Sequence, residues 1–184
     1  MTHAATAQPL QTLTLGGGCF WCLDAVYRRV RGVVAVESGY CNGHVPQPSY
    51  EQVCRGDTGH AEVVRLQFDP AQVSARELLE IFFCIHDPTP PNRQGNDVGP
   101  QYRSGVYFED PQHAELARDI IHTLERDGGL GAPVVTEVLP LHNYSAAEDY
   151  HQDYFAHNPH QGYCAYVVGP KVEKFRKTFA QHLK

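Results

Sequence analysis

Apolar residues recur along this chain with two periods, and the switches between them divide it into strands and helices. Leu13-Thr14-Leu15 is a short alternating run that enters Gly16, Gly17 and Gly18, after which Leu23, Val26, Tyr27 and Val30 recur at helical spacing. A strand, a glycine turn and a helix opening at Cys19 are expected, with Gly32 closing the helix. Val33 to Tyr40 alternates as a strand, Val34 and Val36 on one side against Val33 and Ala35 on the other. Residues 41–60 hold Asn42-Gly43, Pro46, Pro48, Gly56 and Asp57-Thr58-Gly59 and predict a long functional loop. Ala61 to Phe68 alternates again, and its apolar face, Val64, Leu66 and Phe68, carries one acid, Glu62.

In the second half, Ser74 with Glu77 forms a capping box before a helix whose buried face is Leu78, Leu79, Phe82 and Phe83. Residues 88–101 are rich in proline and glycine, a second long loop that delivers Asp97 and Tyr102 to a strand from Ser104 to Phe108. Pro111 starts a helix to about Arg126, Gly128-Gly129 stops it, and Val134 to Val138 is a further strand. Ser145 and Glu148 read as a second capping box, opening a helix to about Phe155. Residues 156–163 are irregular, Cys164 heads Ala165-Tyr166-Val167-Val168, and Pro170 to His182 is a basic amphipathic helix with Val172, Phe175 and Phe179 inward. This mixture predicts an α+β fold, a two-layer α/β sandwich with long functional loops.

Composition adds bounds. With 184 residues, 42% hydrophobic and 20% charged, the chain suits one catalytic domain over residues 12–184, preceded by a flexible polar tail over residues 1–11. The tail lacks the basic and apolar regions of a signal peptide, and no apolar run approaches the ~20 residues of a membrane span, so a cytoplasmic location is expected. A net charge of -6 argues against a nucleic-acid backbone as partner. Six cysteines, at 19, 22, 41, 54, 84 and 164, in a chain of this size and without an export signal predict reduced thiols.

The chemistry centres on Cys19. A helix N-terminus favours an anion, so the thiol is expected to have a lowered pKa and to act as a nucleophile. Phe20 and Trp21 directly follow it and would form an apolar wall suited to a methyl group. Glu62, on an apolar strand face, must be paired, protonated or at the rim of a pocket, and a protonated glutamic acid could serve as a general acid. Two other uses of these residues stand beside this one: a thioredoxin-like disulfide oxidoreductase built on Cys19-x-x-Cys22, and a zinc-binding interaction domain. The first lacks a proline-marked strand opposite, and the second lacks a further ligand pair at zinc spacing.

Gly18-Cys19-Phe20-Trp21 resembles the active-site signature of the peptide methionine sulfoxide reductases of the A class, which act on the S epimer of the sulfoxide. Gly59-His60-Ala61-Glu62-Val63-Val64, Gln94 to Gly99 with Gln101 to Ser104, and Asn158-Pro159 with Gly162-Tyr163-Cys164 extend the resemblance over about residues 13–168. It implies a ferredoxin-like core, Cys19 and Glu62 as catalytic residues, and Tyr50, Asp97 and Tyr102 as substrate-binding residues beside Phe20 and Trp21. It further implies a sulfenic acid resolved by a second thiol, with thioredoxin as the reductant and no metal or organic cofactor. Cys164 occupies the family's Gly-Tyr-Cys position. This chain departs from the usual pattern with Cys22 in place of glycine and Pro100 in place of threonine, so Cys22, nearer in sequence, stands as the alternative resolving thiol.

Overall fold

A computed structural model describes residues 8–184. Of the expected tail, residues 1–7 lie outside the described residues, while Gln11 already belongs to the first strand. The order is β1 (Gln11–Gly16), α1 (Phe20–Tyr27), β2 (Val33–Cys41), α2 (Tyr50–Cys54), β3 (Ala61–Phe68) and α3 (Ala75–Ile85), followed by β4 (Arg93–Gln94), β5 (Asp97–Val98) and β6 (Gly105–Phe108). Then come α4 (Pro111–Asp127), β7 (Glu137–Pro140), β8 (Ser145–Ala146), α5 (Tyr154–His157) and α6 (Gly169–Thr178).

Six strands form one sheet in the order β7-β6-β1-β3-β2-β8, antiparallel except for the parallel β6–β7 pair. Its inner four, β6-β1-β3-β2, with α1 and α3 as the crossovers, are the ferredoxin-like core expected above. The register sets Leu13 opposite Leu66, Leu15 opposite Val64 and Tyr40 opposite Glu62. These residues share one sheet face, and their apolar members are buried with Leu23, Val26, Leu78, Phe82 and Phe175. Ala61, Val63, Cys41 and Tyr107 form a smaller cluster under Leu141 and Tyr144. Among the described residues no helix is long and apolar enough to cross a membrane.

Several expected boundaries move. Helix α1 stops at Tyr27, and Gly32 instead makes a left-handed turn at φ 93°. In β2 the register shifts between Val33 and Ala35, so Val33 and Val36 are both buried while Val34 is exposed, and the expected alternation fails there. The loop over 41–60 contains α2, which a capping box of Ser49 and Gln52 opens directly after the prolines. The loop over 88–101 contains the β4–β5 hairpin. The strand expected at Val134 to Val138 lies at Glu137–Pro140, on the sheet edge.

The helix expected from Ser145 to Phe155 does not form as one element. Ser145 and Ala146 pair with Tyr40 and Gly39 as an edge strand, and the Glu148 carboxylate accepts from the Tyr40 hydroxyl at 2.9 Å and the Tyr50 N–H at 3.0 Å. Both ends of the supposed capping box are therefore engaged by distant partners. Only the turn Asp149–His151 and α5 remain helical, separated by the left-handed Asp153. Cys164–Val168 is a π-helical turn that runs directly into α6.

Candidate active site

The glycine run ends in a turn that sets Cys19 at the head of α1. Gly18 is left-handed at φ 83°, donates its N–H to the Tyr102 carbonyl at 3.1 Å, and has Gln94 so close that a Cβ would meet its Cγ at 2.8 Å. Cys19 is the N-cap residue, extended at φ -62° and ψ 130°, and only 8% exposed. The first helical N–H, from Phe20, donates to Glu62 Oε1 at 3.2 Å, which ties the end of α1 to the near end of β3.

Glu62 is buried at 1% exposure, and its Oε2 has no partner among the described residues. Burial pushes its carboxyl up to about 8, with the Phe20 N–H opposing and Asp97 adding to the rise. At neutral pH Glu62 is mostly a neutral acid with one oxygen uncommitted. The expected role of the helix end at Cys19 is overturned: burial first, and then repulsion from Glu62 and Cys22 once they ionise, push the thiol well above its usual value, and the Trp21 N–H opposes them only in part. The site thus holds two protonated groups side by side.

The aromatic residues divide. Phe20 is fully buried, tilted against Tyr40 and stacked with Tyr50, so it is floor and not exposed wall. Trp21 is partly exposed and lies flat on Tyr154 with ring centroids 3.8 Å apart. Tyr50, opening α2, and Tyr102, following the β4–β5 hairpin, are both half-buried. Burial comes first in raising each hydroxyl, and Glu62 and Cys19 add to the rise in both. Asp97, in β5, accepts a hydrogen bond from the Tyr163 hydroxyl at 2.6 Å through Oδ2.

The two candidate second thiols differ in setting. Cys22 lies one turn into α1, 2% exposed, its sulfur 4.0 Å from the Tyr163 hydroxyl. Cys164 is fully buried in the π-helical turn, its N–H donating to Gln161 Oε1 at 3.0 Å. Cys22 weighs on Cys19, and Cys164 weighs on Cys22. Among the described residues no three His, Cys, Asp or Glu side chains gather as a metal site.

Four neighbours of the site carry no site role in the sequence pattern. Tyr163 was visible only as the middle of Gly-Tyr-Cys, while His151 and Glu148 were hidden inside the mistaken helix. Cys54, exposed at the end of α2, touches Tyr50 and senses Glu62. No periodicity could have found them, because each reaches the site across the sheet or along a loop.

A buried thiol and a buried carboxylic acid joined through the first turn of α1 are groups that a thiol-dependent enzyme could use. The family model described as peptide methionine sulfoxide reductase matches residues 11–183, and the chain belongs to that family. It is 52% identical to the peptide methionine sulfoxide reductase MsrA of Ralstonia nicotianae over 96% of this chain and 95% of that one. To the MsrA of Nautilia profundicola it is 59% identical, over 88% and 92%. The reduced form of Mxr1 from Saccharomyces cerevisiae superposes with a TM-score of 0.78 at 34% identity, over 87% of this chain and 94% of that one. Mxr1 has also been solved in complex with Trx2.

Proposed function

We propose that this enzyme reduces methionine S-sulfoxide, free or in proteins, to methionine, with Cys19 as nucleophile and Glu62 as general acid. One observation carries the reading: Glu62 is a buried, neutral acid with a free oxygen beside the thiol. The sulfoxide oxygen takes the Glu62 proton while the Cys19 sulfur attacks the sulfoxide sulfur; the thiol proton returns to the carboxylate. The attack joins the Cys19 sulfur to the substrate sulfur; the hydroxyl then passes from the substrate sulfur to the Cys19 sulfur, and the S–S bond breaks with its electron pair going to the departing methionine, which leaves Cys19 as a sulfenic acid carrying the oxygen. The raised thiol pKa fits this order of events, since protonating the sulfoxide supplies the positive charge that draws out the thiolate. Tyr50 and Tyr102 donate to the oxygen, Trp21 meets the methyl group with the buried Phe20 as part of the floor, and Asp97, already holding Tyr163, accepts from a substrate N–H.

The second thiol is Cys164, with Cys22 as the alternative. It attacks the sulfenic acid sulfur, releases water and forms a disulfide, and thioredoxin returns both sulfurs to thiols. The relative Mxr1, which has been solved with Trx2, supports that partner. A reducing, cytoplasmic setting suits six unpaired cysteines. The test is a single turnover with racemic methionine sulfoxide: one equivalent of methionine is expected, and with excess thioredoxin consumption should stop at half of the racemate. A Cys19→Ser protein that still releases stoichiometric methionine would remove Cys19 from the reaction.

A further inference from the structure

Three glycines lead into Cys19, and a backbone angle explains only one of them. Gly18 is left-handed, whereas Gly16 and Gly17 are not. A close neighbour explains Gly17: a Cβ there would meet Cδ2 of His86 at 3.0 Å and Cε2 of Phe82 at 3.1 Å. On Gly18 the neighbour is Gln94, whose Cγ would stand 2.8 Å from such a Cβ. The two residues just before the proposed nucleophile are therefore gripped by two side chains, His86 and Gln94, that the proposed reaction leaves unused.

His86 follows α3 with its ring held at both nitrogens. Nδ1 faces the Phe82 carbonyl, which can only accept, so Nδ1 carries the proton and Nε2 accepts from the Ser104 hydroxyl at 2.8 Å. Ser104 Oγ, its own proton committed, then accepts from the Thr136 hydroxyl at 2.7 Å. Burial brings the imidazole down to about 4, with Lys171 adding to the fall and the Phe82 carbonyl and Asp87 opposing it. The ring is therefore neutral at neutral pH, and this direction of donors holds. At 7% and 3% exposure, His86 and Ser104 are too buried to meet a substrate as a serine–histidine pair. The next residue ties in the second grip: Gln94 accepts from the Asp87 N–H and donates to the Asp87 carbonyl, both at 2.8 Å. One corner of the chain, residues 86–87, thus carries both contacts on the glycine turn.

We propose that His86 is a positioning residue for the Cys19 sulfur: locked by Phe82 and Ser104, and coupled to Gln94 through Asp87, it sets the path of Gly17 and Gly18 and so the point where α1 begins. This rests on the reading of Cys19 as the nucleophile. A ring that loses its Ser104 donor can tilt away from Gly17. The turn then loosens, Cys19 shifts, and water reaches a sulfur that burial otherwise keeps protonated.

The test compares His86→Leu, which fills the space without hydrogen bonds, with His86→Gln, which can offer an amide oxygen to Ser104. His86→Leu is expected to slow single-turnover release of methionine by about 10–100-fold, the weight of a small misplacement of a reacting atom. The sulfoxide concentration that gives half the maximal rate should stay as in the native enzyme. The pH profile of Cys19 alkylation by iodoacetamide, followed at that residue by mass spectrometry, should move down toward the ordinary thiol range. His86→Gln should recover part of both effects. Gln94→Ala should add less to His86→Leu than it costs alone, because both act on one turn. Circular dichroism and thermal melting accompany each variant, and if His86→Leu does not fold, His86→Gln, Ser104→Ala and Gln94→Ala carry the comparison. Folded variants that melt lower yet keep the native rate and alkylation profile, beside an inactive Cys19→Ser, would reduce His86 to scaffold and overturn the proposal alone. A change confined to half-saturation would place His86 against the substrate and overturn it as well. Should Cys19→Ser still release stoichiometric methionine, the nucleophile reading fails and takes this inference with it.

Discussion

At Cys19 two physical effects compete, and their sizes decide the outcome. A helix terminus contributes about 0.3–1 kcal/mol to an adjacent charge, and α1 is only 8 residues long. Full burial of an ionisable group shifts its titration by several units, and it acts on Cys19 and Glu62 together. The thiol therefore waits protonated, and the acid waits neutral. The proposed role of Glu62 predicts that Glu62→Gln slows the single-turnover step by about 10²–10⁴-fold, whereas Tyr50→Phe and Tyr102→Phe each lose the several-fold worth of one neutral hydrogen bond. In the native enzyme that step should decline as pH rises through about 8, where the acid loses its proton. The sign for stability is the same. A carboxyl whose folded pKa is raised from 4.5 to about 8 leaves the fold stable below 4.5 and weakens it as pH climbs to 8. The melting temperature of the native protein should accordingly fall, relative to Glu62→Gln, between pH 5 and pH 9; parallel curves would remove the buried acid from the account.

Single elements were legible where their signals were local. Strand β3 matches its expected range, Ala61–Phe68, because a period of two with one buried face admits little slippage. The Ser74 box and the Gly128 stop place the start of α3 and the end of α4. The Ser145 box fails for a reason that no local rule contains: an open sheet edge at Gly39 and Tyr40 recruits Ser145 and Ala146 as β8. Two glycine variants separate the site from its scaffold. Gly18→Ala, at a left-handed φ and against Gln94, should cost about 1–2 kcal/mol in a denaturant melt and should also slow methionine release by displacing Cys19. Gly128→Ala, left-handed at φ 71° with open space around it, should cost a similar ~1 kcal/mol and leave single-turnover kinetics alone. Equal kinetic losses in the two would mean that the glycine turn has no special hold on the nucleophile.

For the whole molecule the resolving step asks how a buried sulfur crosses to Cys19. In the proposed role of Cys164 the π-helical turn that holds it would move toward Cys19, and the Tyr163–Asp97 hydrogen bond just before that turn would be strained or broken. π-turns inside helices are rare and tend to mark functional segments, which makes this the place for such a movement. Cys164→Ser should release methionine once and then stall as the sulfenic acid, while Cys22→Ser should continue to turn over with thioredoxin. Amide exchange over residues 158–168 should quicken in the oxidised protein. A Cys22→Ser enzyme that stalls, with exchange unchanged on oxidation, would assign the step to Cys22 and leave Cys164 as core.

What the chain determines by itself are features written in neighbouring residues: the glycines before Cys19, the alternation that turns Glu62 inward, the caps of α3 and α4. Their physics is local, a matter of backbone freedom and side-chain period. Tertiary structure alone decided the protonation of Cys19, because desolvation depends on everything packed around a group. It also decided the partners of Trp21 and Asp97, which lie 130 and 66 residues away in the chain. The same holds for Ser145, whose fate as strand was set by an unfilled edge of β2. Contacts of that range follow from how the layers close, and no stretch of sequence carries their geometry.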